Sequence, residues 1–138
     1  MNLSEKLVKI YFTIIPMRLT RYHAYRIEKF IHKAAEEFDL SGNVVVDIGA
    51  GTGAYKSYFP HCKYLLQDIK QNDQGSVDFV CDIVEGAPAI SSELADVIVT
   101  TQVLEHIRDP QKAFHEFARI LKPGGKVYLT THMAFEEH

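Results

Sequence analysis

The sequence predicts a single α/β domain whose five parallel strands form an open sheet with helices on both faces. Residues 43–48 are rich in β-branched side chains, which is typical of a strand buried on both faces. Glycines then stand at alternate positions, Gly49, Gly51 and Gly53, so that a ligand can approach the backbone closely. Nucleotide-binding α/β folds carry such a loop at the carboxyl end of the first parallel strand. These features indicate an α/β domain of the nucleotide-binding type.

Length and composition are those of one globular domain with few special features. The chain has 138 residues and a net charge of −3 without a basic block, so nucleic acid is not expected as a partner. No apolar run reaches the roughly 20 residues of a membrane span, so no integral membrane contact is predicted. Cys62 and Cys81 lack metal-ligand spacing, which indicates reduced thiols and a cytoplasmic protein without a metal site.

The first 42 residues are predicted to be helical. Apolar residues in residues 3–15 fall at helical spacing until Pro16, and residues 20–38 follow the same rule more strictly. We expect residues 1–19 to pack on their own domain. The alternatives are a cap over the ligand site and a docking surface for a partner or membrane.

The remaining elements alternate as an α/β sheet requires. Strands are expected over residues 63–67, 77–81, 95–101 and 126–131. A helix should begin at residues 54–58, and another should follow the N-cap Asp109 and end near residue 122. Residues 68–76 are too few for the usual helical crossover, so we predict a loop or a single turn there.

Four motifs in this order resemble the class I S-adenosylmethionine-dependent methyltransferases. They are D-x-G-x-G-x-G at residues 47–53, V-L-E-H at 103–106, D-P at 109–110 and L-K-P-G-G at 121–125. The resemblance covers about residues 43–131. It implies a Rossmann-like sheet in the strand order 3-2-1-4-5, S-adenosylmethionine as cofactor, S-adenosylhomocysteine as product, and a small-molecule or lipid-like methyl acceptor.

The resemblance also implies which residues hold the cofactor. Asp68, 19 residues after Gly49, corresponds to the acid that binds the ribose hydroxyls, at a spacing close to that of dinucleotide folds. Asp82 and the backbone of Ile83 correspond to the adenine contacts. The cofactor-binding residues so predicted are Asp47, Gly49, Ala50, Gly51, Gly53, Asp68, Ile69, Asp82, Ile83 and Gln102.

His106 and Glu105 are the catalytic candidates. A histidine has a pKa suited to accepting a proton from a hydroxyl acceptor, and it follows the fourth strand, where such a base should stand. The segment Gln102-x-x-Glu105-His106 is similar to the acid-x-x-Glu-His segment of the O-methyltransferases of ubiquinone synthesis, which is associated with a divalent metal. Glutamine at the first position disfavours a metal here. The alternative is that both side chains fix the turn before the next helix; His132 is a weaker candidate.

The sequence after residue 131 lacks the two further strands that the resembling family carries. Residues 132–138 are then a truncated tail, and residues 126–131 an exposed sheet edge, as in a fragment or a homodimer that covers the edge. A cofactor-binding module without turnover is therefore the alternative function. A nicotinamide-dependent reductase is disfavoured by the missing G-x-G-x-x-G, and a polyamine synthase by the L-E-H and K-P-G-G segments.

Overall fold

The computed structural model describes residues 9–14 and 20–131, which form a parallel sheet flanked by two α-helices. The sheet has six strands in the order β1-β6-β5-β2-β3-β4, and every neighbouring pair is parallel. In chain order the elements are β1 Lys9–Ile14, α1 Thr20–Phe38, β2 Val44–Ile48, β3 Lys63–Asp68, β4 Phe79–Val80, β5 Ala95–Thr101, α2 Pro110–Ile120 and β6 Leu121–Thr131.

Five of these strands confirm the predicted order. The five strands of the sequence prediction, numbered 1 to 5, are β2 to β6 of the structure. They lie side by side in the order β4-β3-β2-β5-β6, which is the predicted order 3-2-1-4-5. Because they are parallel, the segments that follow β2, β3, β4 and β5 all leave from the same edge of the sheet. That edge is where α/β folds of this kind bind their ligands.

The sixth strand, β1, corrects two predictions. Residues 9–14 were predicted to be helical, but they pair in parallel with β6 from Lys9 opposite Lys126 to Ile14 opposite Thr131. The segment reads K-I-Y-F-T-I, and its β-branched and aromatic residues favour a strand, while helical spacing is not distinctive in so apolar a run. The predicted exposed edge at residues 126–131 is therefore wrong, and a homodimer is not needed to cover it. The rest of residues 1–19 lies outside the described part of the chain.

The two helices bury opposite faces of the sheet, as predicted. Helix α1 buries the stripe Ile27, Ile31, Ala34 and Ala35 in one cluster, together with Val45, Val97 and Tyr128 of the sheet. Helix α2 buries Ala113, Phe117 and Ile120 in the other, against Val46, Ile98 and Val127. Strands covered on both sides need apolar residues throughout, which explains their continuous apolar sequences.

Three local elements differ from the prediction. Residues 54–58 form no α-helix; only the single 3-10 turn Lys56–Tyr58 is present. Phe59 leaves the helical conformation, with φ −122° and ψ 61°, because the residue before a proline is disfavoured in that conformation, and Pro60 has no amide to continue the turn. The third predicted strand shrinks to two residues, Phe79–Val80. Helix α2 ends at Ile120, and β6 begins at the next residue, so that the L-K-P-G-G segment belongs to the strand. The pairing of β6 with β5 is irregular between Ala95 and Val97.

The predicted loop between β3 and β4 is confirmed. The side chain of Gln71 joins the two ends of this loop, because Nε2 donates to the carbonyl of Val77 and Oε1 accepts from the Val77 amide.

Within the described residues, no helix is long and apolar enough to cross a membrane.

Candidate functional site

A cleft of about 720 Å³ opens at the carboxyl edge of the sheet, where the segments after β2, β3, β4 and β5 meet the start of α2. A parallel sheet brings these strand ends together although they are distant in sequence. Seven of the predicted site residues line the cleft: Gly49, Asp68, Ile69, Asp82, Ile83, Gln102 and His106. Asp47, Ala50, Gly51, Gly53 and Glu105 are not part of its lining.

The glycines after β2 serve different purposes. At Gly49, where φ is +69°, a Cβ atom would stand 2.3 Å from Cγ2 of Val103, so only glycine fits beneath the segment that follows β5. At Gly51, where φ is +55°, a Cβ atom would have no neighbour within 4 Å. Packing therefore requires the first glycine, while the second leaves the outer side of the loop open.

The carboxylate of Asp68 is fixed on the glycine loop. Its Oδ2 accepts a hydrogen bond from the Gly51 amide at 2.8 Å, and its Oδ1 accepts one from the Ile69 amide at 2.7 Å. A carboxylate has about four acceptor positions, so both oxygens can still accept from a ligand. The neighbouring Ile69 side chain is 64% exposed, which gives the cleft an apolar surface beside the carboxylate.

Asp47 lies beneath the loop rather than in the cleft. Its side chain is buried, and its Oδ2 accepts a hydrogen bond from the Tyr64 hydroxyl at 2.8 Å. Burial raises the pKa of Asp47 to about 7; the bond from Tyr64 acts in the opposite direction, and the nearby charge of Asp68 adds to the rise. Asp47 thus has a structural role beneath the glycine loop.

The end of β4 supplies Asp82 and Ile83. Asp82 is exposed and its Oδ1 accepts from the Val84 amide at 2.9 Å, while Ile83 is buried in the core. This places an acceptor and a backbone turn beyond Asp68, on the far side of the cleft from β5.

Gln67 was missed by sequence analysis. It is buried in β3, its Oε1 accepts from the Gly49 amide at 3.3 Å, and its Nε2 donates to the Cys81 carbonyl at 2.6 Å. The side chain therefore ties the glycine loop to the end of β4. A lone amide within an apolar strand was the available signal, since a buried polar group needs partners.

The segment after β5 carries Gln102 in an unusual conformation. Its φ is +56°, a left-handed value that non-glycine residues seldom adopt. Its amide donates to the Thr130 carbonyl at 2.9 Å, and its Nε2 donates to Thr130 Oγ1 at 3.0 Å. Oε1 of Gln102 is buried and has no hydrogen-bond partner in the described part of the protein.

The two catalytic candidates separate in the structure. His106 is exposed in the 3-10 turn Leu104–His106 and lines the cleft. Glu105 is not part of the cleft lining, and its Oε2 accepts a hydrogen bond from Thr131 Oγ1 at 3.0 Å. This contact matches the alternative role for Glu105, which was to fix the turn. His132 lies outside the described residues, and those residues hold no group of three or more side chains able to bind a metal.

Comparison with known proteins agrees with this architecture. A family model described as a methyltransferase domain matches residues 19–138. The ubiquinone biosynthesis O-methyltransferase of Klebsiella pneumoniae is 42% identical over 121 residues, which are 86% of this chain and 50% of that protein. Human thiol S-methyltransferase TMT1A is 30% identical over 88% of this chain and 59% of its own length.

Solved structures show the same fold. The YcgJ protein of Bacillus subtilis superposes with a TM-score of 0.62 at 25% identity, covering 76% of this chain and 50% of that one. Phosphoethanolamine N-methyltransferase 2 of Haemonchus contortus, solved with S-adenosylmethionine, gives a TM-score of 0.59 at 22% identity over 76% of this chain and 27% of that one. This chain spans about half the length of the curated relatives it matches. It belongs to the class I S-adenosylmethionine-dependent methyltransferases.

The cleft fits the cofactor of that family. Asp68 retains acceptor positions suited to a ribose diol, and Ile69 offers an exposed apolar surface suited to a base. S-adenosylmethionine combines both groups.

Proposed function

We propose that this chain binds S-adenosylmethionine in the cleft and transfers its methyl group to a small-molecule acceptor. The observation that carries the proposal is the pairing of Asp68 with the glycine loop. A carboxylate held by the Gly51 amide stands at the rim of a cleft large enough for a nucleoside ligand. Membership of the methyltransferase family supports the same conclusion.

Under this proposal the cleft residues have two roles: the carboxylates accept hydrogen bonds from the cofactor, and other residues contact its base. Asp68 accepts hydrogen bonds from the ribose hydroxyls, and Asp82 accepts from the amino group of the adenine base. The exposed side chain of Ile69 contacts a face of that base, and the backbone of Ile83 meets its ring. The glycine loop leaves its outer side open at Gly51, which allows the rest of the cofactor to lie against the backbone.

The protein contributes positioning and proton transfer to the reaction. When bound, S-adenosylmethionine supplies a methyl group already activated by a positively charged sulfur. The cleft residues hold the acceptor near that methyl group and exclude water. His106 lies at the cleft and can take the proton that an O–H, S–H or N–H acceptor loses. Glu105 keeps the turn of His106 in place through Thr131.

A small-molecule acceptor is favoured over nucleic acid. The chain carries a net charge of −3 and has no basic block, whereas nucleic-acid binding needs a positive surface. The relatives methylate different acceptors by name: an oxygen in ubiquinone biosynthesis, a thiol and a tRNA. The absence of a basic block in this chain favours an acceptor of the first two kinds.

The second candidate is a cofactor-binding module without turnover. The observation in its favour is that the chain spans only about half of the curated relatives. Under this candidate the cleft binds S-adenosylmethionine and its product with similar affinity, and no acceptor is methylated.

Product formation separates the two candidates. The protein is incubated with S-adenosylmethionine and, in turn, with a catechol, a thiol and a primary amine, and S-adenosylhomocysteine is measured. We expect product with one acceptor class, and at least about 100-fold less with His106→Ala if this side chain is the proton acceptor. Lys70→Ala, an exposed residue outside the cleft, is the control and should retain full activity. Binding of the cofactor without product from any acceptor would favour the module.

A further inference from the structure

The side chain of Asn72, in the loop between β3 and β4, connects that loop to the glycine loop. Its Oδ1 accepts from the backbone amides of Gln74 and Ser76 at 3.1 and 3.0 Å. Its Nδ2 donates to Ser76 Oγ at 2.8 Å and to the carbonyl of Gly51 at 2.9 Å. An amide side chain has two donor and about two acceptor positions, so these bonds use all of them and hold the group in one orientation.

Gly51 is held from outside its own loop on both of its backbone groups. Its amide donates to Asp68 Oδ2 at 2.8 Å, and its carbonyl accepts from Asn72 Nδ2 at 2.9 Å. Among the described residues, nothing lies within 4 Å of the place where a Cβ atom of Gly51 would stand. Hydrogen bonds from the segment after β3, rather than side-chain packing, therefore hold the backbone of Gly51.

The two bonds of Gly51 are coupled through its backbone. A peptide group is planar, so anchoring the Gly51 carbonyl fixes the orientation of the peptide group that follows it. A glycine rotates more freely than other residues, so losing this anchor would release the backbone. The Asp68 carboxylate would then lose a fixed partner, although it lines the cleft and is the proposed acceptor for the ribose hydroxyls.

We propose that Asn72 is a positioning residue for the cofactor. Its side chain is not part of the cleft lining; it holds Gly51 and, through Gly51, keeps the Asp68 carboxylate in place for a ribose diol. This inference rests on the proposed function, since it concerns the same ligand. Its consequence is that the short loop between β3 and β4 determines how strongly the cleft selects ligands with both ribose hydroxyls.

Matched variants separate the bond to Gly51 from the bonds within the loop. Asn72→Asp keeps an oxygen for the amides of Gln74 and Ser76 but has no N–H for the Gly51 carbonyl, and Asn72→Ala removes that donor without adding a charge. Ser76→Ala loses a bond within the loop and keeps the bond to Gly51. Gln74→Glu changes an exposed amide of the same loop into a carboxylate, which controls for charge. Circular dichroism verifies that each variant is folded.

Calorimetry with S-adenosylhomocysteine and its 2′-deoxy analogue measures both the affinity and the selection for the diol. The wild type should prefer S-adenosylhomocysteine by about 10-fold or more, the value for one hydrogen bond to a charged group. Both Asn72 variants should bind S-adenosylhomocysteine about 10-fold more weakly, and their preference should fall below about threefold because the analogue loses less. Ser76→Ala and Gln74→Glu should match the wild type.

The preference distinguishes positioning from a general structural effect, because a general loosening of the protein would weaken both ligands equally. Wild-type affinity in the Asn72 variants, or equal weakening of the two ligands, would overturn the proposal. The same loss in Ser76→Ala or Gln74→Glu would also overturn it, because the bond to Gly51 would then not be the cause. A wild type that binds neither ligand, or that binds both equally well, would instead contradict the proposed function and its ribose contact.

Discussion

The carboxylate of Asp68 and the backbone amide of Gly51 are joined by a hydrogen bond of 2.8 Å. The bond connects the end of β3 to the loop that follows β2, across two neighbouring parallel strands. It sets the shape of the glycine loop before a ligand arrives, which lowers the ordering cost of binding. The same carboxylate then serves as an acceptor for that ligand.

The first prediction concerns the two roles of the glycines. Gly49→Ala should lower the free energy of unfolding by about 2–5 kcal/mol, because left-handed strain adds to a clash with Val103. Gly51→Ala has the same kind of strain without a clash, so its loss should be about 1–2 kcal/mol. Urea unfolding followed by circular dichroism measures both values. Equal losses in the two variants would show that the Val103 contact does not constrain the loop.

The second prediction concerns pH. The pKa of Asp47 is about 7 in the folded protein, above its ordinary value of 3.8, so the folded state holds a proton that the unfolded state releases. The contribution of Asp47 to the free energy of unfolding is therefore largest below pH 4 and decreases as the pH rises toward 7. Relative to Asp47→Asn, the wild type should lose about 2 kcal/mol of unfolding free energy between pH 5 and pH 8.

Asparagine is a suitable reference because its carbonyl can still accept the hydrogen bond from Tyr64. Urea unfolding of both proteins at several pH values gives the difference directly. Parallel pH profiles for the two proteins would mean that Asp47 is ionised in the folded state over the whole range.

The third prediction concerns strand β1. A chain that begins at residue 15 lacks β1 and exposes the edge of β6, so it should self-associate. It should also lose about 2 kcal/mol or more of unfolding free energy, since several inter-strand hydrogen bonds of about 1 kcal/mol each disappear. A chain that begins at residue 9 keeps β1 and is the matched control. Sedimentation of the two forms at equal concentration shows the difference; two monomers of equal stability would contradict the pairing.

The parts of the fold that the sequence predicted depend on local signals. Asp109 was predicted as an N-cap, and its Oδ1 accepts from the Lys112 amide at 3.3 Å at the start of α2. Strand β1 was missed because its partner lies more than 110 residues away in sequence, from Lys9 to Lys126. Apolar spacing within residues 9–14 carries no information about that partner.

The site residues likewise include some whose position could be predicted from the sequence and some whose position could not. Asp68 and Asp82 line the cleft, and the sequence could place them at this edge because each follows a strand whose end is marked by its apolar residues. Asp47 belongs to the same motif, yet its side chain is buried beneath the loop. The left-handed φ of Gln102 could not be predicted from the sequence, because such a conformation is expected of glycine. The cofactor roles of these residues remain predictions.

The central claim is that the cleft binds S-adenosylmethionine through Asp68, and calorimetry on the wild-type chain tests it most directly. We expect a dissociation constant in the micromolar range, about −8 kcal/mol, for S-adenosylmethionine and S-adenosylhomocysteine. Asp68→Ala should abolish or strongly weaken binding of both, while Asp73→Ala, at an exposed position in the following loop, should bind as the wild type does. Unchanged affinity in a folded Asp68→Ala variant, or no binding by the folded wild type, would contradict the claim.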